Sequence, residues 1–258
     1  MNDQHVAVVI PAKDESATIA ATVRSARSIS GVDLVIVVDD GSADDTGRVA
    51  RGAGAGVLTH PRNKGKAAAM MSGALAVHNR EISSADTSKP PRALLFIDAD
   101  LGDTAAETAP LTEPVVAGRA DMTIAVLPRQ STDGGGFGLV VGLARRGIAE
   151  LSGFTATQPL SGMRCLTRAA YDAAQPFAAG WGVETAMTID LVSAGFRVRE
   201  VECALQHRVT GRDLRAQLHR AAQYRDVWRA LAVRRMSARR RAPRQSIGSK
   251  RTHGKENS

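Results

Sequence analysis

The 258-residue sequence predicts an α/β fold, a central and mostly parallel sheet flanked by helices. Two observations carry this. Short apolar runs alternate with stretches of helical periodicity through the first half of the chain. The runs are also continuously apolar rather than alternating, as expected of strands buried on both faces. In such sheets ligands gather beyond the carboxyl ends of the strands, so the residues just after each run carry most of the information about function.

The strand-like runs are HVAVVI (5–10), VDLVIVV (32–38), AGVLTH (55–60), RALLFI (92–97) and DMTIAVL (121–127), rich in Val, Ile and Leu and bounded by turn residues. Residues 16–29, 43–53, 65–79 and 105–118 lie between them, and each reads as a helix with one apolar face. The polar, proline-bearing segment 81–92 is a surface loop. DGGGFG (133–138) reads as a flexible loop able to act as a lid. Beyond it, 161–168 and 196–208 read as later strands flanking a helix over 183–194. Leu214, Leu218, Ala221, Tyr224, Trp228 and Leu231 recur at helical spacing, which predicts an amphipathic helix over 212–235. Residues 236–258 have the composition of a disordered basic tail.

The net charge of +8 is unevenly spread: residues 212–258 hold 14 Lys and Arg against 3 Asp and Glu, while residues 1–211 hold 20 against 23. The basicity therefore belongs to the C-terminus and does not describe the body. The two cysteines, Cys165 and Cys203, lack metal-binding spacing and fit a reducing cytosol. The N-terminus shows no signal-peptide pattern, and no apolar run approaches the roughly 20 residues of a bilayer span. A cytoplasmic protein, at most peripheral to the inner membrane face, is expected.

The strands are followed in turn by PAKDES, VDDGSADDT, HPRNKGKAAA and DAD. Glu15, Asp39, Asp40, Asp98 and Asp100 thus gather on one rim of the sheet, with Lys66 among them. Some of these acids have plain structural roles. Ser16 and Ser42 suit helix caps, and Asp44 and Asp45 sit where acids favour a helix dipole. Asp98 and Asp100 are different, because two carboxylates at one strand end repel, and burying them is costly without a cation. Strand alternation puts both on one side, with Ala99 turned away. Mg²⁺ or Mn²⁺, which favour oxygen ligands and phosphates, would relieve the repulsion and hold a diphosphate. Lys66 adds positive charge, and Gly65 lets the backbone come close.

VVIPAKDESATIAATV, VIVVDDGSADDT, NKGKAAA and FIDAD, in this order, resemble the nucleotide-sugar glycosyltransferases of the GT-A fold, with family 2 as the broad group. The resemblance implies that Pro11, Ala12 and Glu15 line the nucleotide pocket and that Asp40 faces the base. It also implies that Ser42, Lys66 and Asp98 serve the donor, and that Asp100 is the direct metal ligand of a DXD element. The donor would be a nucleoside-diphosphate sugar, UDP-glucose by default, with GDP-mannose open. The second half, with GGGFG, QPLSGMRCLTR, PFAAGWGVETAMTIDL and ALQHR, is similar to family 81, the glucosyl- and mannosyl-3-phosphoglycerate synthases. By that resemblance Glu184 lies near acceptor and donor sugar, and His207 joins Asp100 on the metal. The chain departs from the family at Phe137 and Leu139, where an Arg and a Thr would hold the acceptor's phosphate and carboxylate; Arg129 and Arg164 are nearby substitutes.

Residues 1–130 then form the donor half, 131–211 the acceptor and catalytic half of the same domain, and 212–258 a basic helix and tail. The expected reaction is sugar transfer to a hydroxyl, with Glu184, Asp100 and Lys66 catalytic. Family 81 implies retention of configuration; Glu184 as general base would imply inversion. Two rivals stay open. One is a sugar-phosphate nucleotidyltransferase, although PAKDES lacks the expected glycine-rich basic loop. The other is a peripheral glycosyltransferase that meets an anionic membrane through its basic C-terminus and acts on a lipid-linked acceptor. A homodimer is compatible with either, and no nucleic-acid partner is expected.

Overall fold

A computed structural model of the chain describes residues 5–84, 90–128, 137–205 and 214–241. Among these, β1 (Val6–Ala12), β2 (Val32–Asp39), β3 (Gly56–Thr59), β4 (Ala93–Phe96), β5 (Met122–Val126), β6 (Arg164–Leu166) and β7 (Val198–Glu202) form one sheet. The strand order is β3-β2-β1-β4-β6-β5-β7. β1 to β4 pair in parallel, as do β5 and β7, while β6 runs antiparallel between β4 and β5. The pairing Ala12↔Asp39 and Val9↔Phe96 brings the ends of β1, β2 and β4 to one rim.

The sheet is covered on both faces, as continuous apolar strands require. Val6, Val8, Ile10 and Ala12 of β1 face one core, shared with α1 (Ile19–Arg27), α2 (Thr46–Gly52) and α4 (Thr112–Val116). Ala7 and Val9 face the other, shared with α3 (Lys66–Ile82), α6 (Arg168–Ala173) and α7 (Val183–Ser193). A third, smaller core joins Val140, Ala144 and Ile148 of α5 (Phe137–Ser152) to Ile189 of α7 and to Val227 and Leu231 of α8 (Leu214–Arg241). Arg234–Asp190 and Arg235–Glu150 ion pairs tie α8 to α7 and α5.

The five early strands and the helices after β1, β2 and β3 lie where the sequence puts them. The predicted helix over 105–118 is instead a 3₁₀ run, Gly102–Leu111, followed by the short α4. Pro110 and Pro114 lack the N–H groups that a continuous α-helix there would use. Phe137 and Gly138 belong to α5 rather than to a loop, and α5, whose Val140, Ala144, Ile148 and Leu151 recur at helical spacing, is not among the elements assigned from sequence. The C-terminal helix continues past residue 235 to Arg241. Of the expected lid, residues 133–136 lie outside the described residues, as does the tail from 242.

α3 approaches β1 and β2 closely through Gly73, where an added Cβ would overlap Val9 Cγ1 and lie 3.1 Å from Val38 Cγ2. Gly73→Ala should therefore cost about 1–3 kcal/mol through overpacking, read as a lower urea midpoint at unchanged slope. An unchanged midpoint would show that the α3–sheet contact yields freely.

Candidate active site

The turns after β1 and β2 brace one another across the rim. Asp14 N donates to Ser42 Oγ (3.0 Å), Ala43 N to Asp14 Oδ1 (2.7 Å), Ser16 N to Asp44 Oδ2 (3.0 Å) and Glu15 N to Thr46 Oγ1 (2.8 Å). Asp44 lies ahead of α2 rather than in its first turn. It accepts from Thr46 N within its own turn and from Ser16 N in the neighbouring one, and hydrogen bonds from Thr46 and Ser16 hold its pKa below the ordinary range. Asp45 caps α2 by position and pairs with Arg48 at 2.7 Å. Glu15 accepts from Thr18 Oγ1 (2.9 Å). Pro11 and Ala12 close β1 at the same rim.

Asp40, expected to face a base, is only 5% exposed. Oδ1 accepts from Lys64 N (2.8 Å) and meets His60 Nδ1 (2.7 Å), while Oδ2 accepts from Gly65 N (2.7 Å). Burial alone would raise its pKa, but these hydrogen bonds outweigh it and lower it. Asp40 is thus bound into the 60–65 loop, and Ser42 into the β1–α1 turn.

Lys66 stands at the centre of the site as the first residue of α3, after Gly65 with φ +89°. Its Nζ donates to Asp98 Oδ1 at 2.7 Å and lies 3.5 Å from Glu184 Oε1. Burial disfavours the ammonium, yet the charges of Asp98 and Glu184 overcome it and raise the Lys66 pKa. Glu184, in the first turn of α7, is buried. Its burial raises the carboxyl pKa even against the opposing charges of Lys66 and Arg164. These three side chains share a cavity of about 390 Å³ with Leu127, Leu160, Trp181 and Gln223. A cavity of that size is at the lower end for small-molecule sites. Gly162 forms part of its wall because nothing larger fits: a Cβ there would collide with Lys66 Nζ and lie 3.2 Å from Asp98 Oδ1.

Asp98 and Asp100 are both half-buried just past β4, with Ala99 buried between them. The Ala99 carbonyl accepts from Thr22 Oγ1 (2.8 Å) and Thr18 Oγ1 (3.2 Å), which fixes the turn that presents them. The two aspartates differ in company. Asp98 pairs with Lys66, whereas no described residue pairs with the Asp100 side chain. A half-exposed, uncompensated carboxylate suits a hard cation that keeps water or phosphate in its remaining positions. His207, the expected second ligand, lies outside the described residues, and among those described no cluster of three or more His, Cys, Asp and Glu could hold a metal.

On the acceptor side one expectation fails. Arg164 has no exposed surface, so it is not available to an acceptor anion. Its guanidinium donates to Ser161 O (2.9 Å), Pro159 O (3.3 Å) and Thr188 Oγ1 (2.9 Å), tying the 159–161 wall to α7. Burial pushes its pKa down to about 10. Leu139 is 74% exposed on α5, while Arg129 and the Phe137 side chain lie outside the described residues. Sequence reasoning missed His60, Gly162 and the bracing role of Arg164. HPRNKG was visible as a loop, but only the fold shows that His60 turns inward.

Residues 7–172 match glycosyl transferase family 2, and the chain belongs to that family. With the GT-A-like sheet, this defines a nucleotide-sugar glycosyltransferase. Among solved structures it is similar to glucosyl-3-phosphoglycerate synthase from Mycobacterium tuberculosis. The synthase in complex with phosphoglyceric acid is 29% identical, with a TM-score of 0.69 over 90% of this chain and 80% of that one. The same enzyme with Mn²⁺, UDP-glucose and phosphoglyceric acid gives 29% identity and a TM-score of 0.68, over 90% and 79%. Uncharacterized protein MJ1222 from Methanocaldococcus jannaschii is 27% identical over 179 residues, 68% of each chain.

Gly162→Ala should push the Lys66 ammonium out from between Asp98 and Glu184. The expected result is at least a roughly tenfold drop in turnover, on the scale of one lost charge-assisted hydrogen bond, with a lower melting temperature because Asp98 and Glu184 lose their shared cation. Full activity in this variant would show that the Lys66 position is not required.

Proposed function

We propose that the chain transfers a hexose, with glucose from UDP-glucose the first donor to test, to a hydroxyl acceptor in a reaction that depends on Mg²⁺ or Mn²⁺. The observation that carries this reading is the Asp98–Lys66–Glu184 chain lining a cavity beside Asp100, which no described residue compensates. Structures of the mycobacterial synthase contain Mn²⁺ or Mg²⁺ with UDP or UDP-glucose, which supports the same donor chemistry here. Asp100, and His207 by resemblance, would hold the metal, which when bound supplies charge neutralisation for the leaving diphosphate. Pro11, Ala12, Glu15, Asp40, Ser42 and Asp98 would form the donor side. Lys66 supplies positive charge where negative charge develops, and Glu184 orients the acceptor hydroxyl or takes its proton. Family membership sets aside the nucleotidyltransferase reading.

The acceptor is less anionic than phosphoglycerate in this proposal. Lys66 is the only cation among the described cavity-lining residues, and it is engaged by two carboxylates. Arg164 is closed off, and apolar Leu139 cannot substitute for a polar contact to an oxyanion. The cytoplasm, where the cysteine usage points, is the proposed compartment. Titration calorimetry with UDP tests the core of the reading: binding should require Mn²⁺ or Mg²⁺, and Asp100→Ala should abolish the metal-dependent part. UDP binding that ignores both metal and Asp100 would overturn it. Product analysis from UDP-glucose, with phosphoglyceric acid as the control acceptor, then tests the acceptor.

A second reading concerns location. α8 exposes Tyr224, Trp228 (53% exposed), Val233 and Met236, with Arg225 and Arg229 beside the two aromatics. Aromatic and arginine side chains on one exposed face suit an anionic lipid surface. Vesicles containing phosphatidylserine should sediment the protein, and Trp228→Ala should reduce the bound fraction several-fold. Equal binding to neutral vesicles, or a dimer lost on the same substitution, would point to another use of this face.

A further inference from the structure

His60, at the end of β3, is buried on a rim where its neighbours in the chain are exposed. One face of its ring meets β2 through Asp40 Oδ1 at 2.7 Å, and the other meets α3 through Ser72 Oγ at 3.0 Å. A carboxylate only accepts, so Nδ1 carries the proton, and Nε2 accepts from the Ser72 hydroxyl when the ring is neutral. The backbone N–H of His60 also donates to Asp39 O at 2.8 Å. The side chain therefore joins the three elements from which the 61–65 loop departs and to which it returns.

That loop has little else to hold it. It rests on Gly41, where a Cβ would lie 2.6 Å from Arg62 C and 2.7 Å from Asn63 N. Its far end is held by Asp40 through the N–H groups of Lys64 and Gly65, with a supporting bond from Gly65 N to Asn63 Oδ1 at 2.9 Å. The next residue is Lys66. An Asp40 carboxylate free to rotate would release both amides together, and His60 is the side chain that fixes its rotamer.

We propose that His60 is a positioning residue for donor binding: through Asp40 it holds the Lys64–Gly65 backbone, and thereby sets Lys66 between Asp98 and Glu184. The link to the donor rests on the glycosyltransferase reading above, while the clamp itself does not. Two substitutions separate the contacts. His60→Asn keeps a donor near the place of Nδ1 and loses the Ser72 contact. His60→Gln reaches toward the Nε2 position and loses the Asp40 contact. The readouts are hydrogen exchange at the Lys64 and Gly65 amides, and the affinity for UDP with Mn²⁺. The expectation is that His60→Gln speeds exchange at both amides and weakens UDP binding about tenfold, while His60→Asn stays within about twofold of the parent on both. A merely structural histidine would give the two variants the same losses, in step with their melting temperatures, and that result would overturn the proposal. Unchanged exchange in His60→Gln would overturn it as well. If the exchange pattern appears but the parent protein does not bind UDP with Mn²⁺, the clamp holds and the donor assignment falls.

Discussion

One ammonium, shared by two carboxylates, holds the site together. Lys66 comes from the donor half of the chain, yet it meets Asp98 on the rim of the parallel sheet and Glu184 at the start of α7. Without it, two carboxylates would face each other across one cavity, and like charges there repel. Much of the surrounding structure serves this one group. Gly162 leaves room for the amine, the 60–65 loop aims it, and α3 packs on β1 through a glycine so that its first residue reaches the rim. Glu184 is burdened by burial and relieved by Lys66 and Arg164, so its charge state depends on partners from α3 and β6.

The same ammonium explains how two aspartates can end one strand. Asp98 is neutralised within the protein, and Asp100 is left uncompensated by any described residue. The repulsion that the sequence pattern exposes is thereby resolved unequally, with one carboxylate spent on internal organisation and the other held ready for a cation. A symmetric pair would bind a metal through both members and leave Lys66 unpaired beside it. The observed arrangement instead keeps the Lys66 ammonium paired with Asp98 and leaves Asp100 unpaired among the described residues.

The donor half was legible because its physics is local. Continuous Val, Ile and Leu runs gave β1 to β5, and the polar residues after them gave the rim, including Lys66, Asp98 and Asp100. The rest depended on contacts distant in sequence. β6 is three residues long and antiparallel, too short for any periodicity to show its direction. The 3₁₀ run before α4 has apolar spacing like a helix, and its prolines decide the outcome. Arg164 was misplaced because a charged residue near a motif looks available to a ligand, and the internal partners of Asp40 were invisible for a related reason. Here neighbouring backbone groups claim both, Asp40 through the amides of Lys64 and Gly65, Arg164 through the carbonyls of Pro159 and Ser161.

The way the acceptor-side wall is built bears on how its specificity can change. Residues 156–161 are fixed almost wholly through their main chain. Arg145 holds the Ala156 and Thr157 carbonyls, Glu200 accepts from the Thr157 and Gln158 amides, and Arg164 takes two carbonyls further on. The Gln158 side chain completes the frame by pairing with both backbone groups of Leu127. Anchors that act on the backbone are indifferent to the side chains the wall presents. Thr157, an exposed member of this wall, can therefore be exchanged without disturbing Lys66, Asp98 or Glu184, whereas Val227 is held in the third core. The charged cluster around Lys66 and the wall fixed by its backbone are thus held by separate sets of contacts.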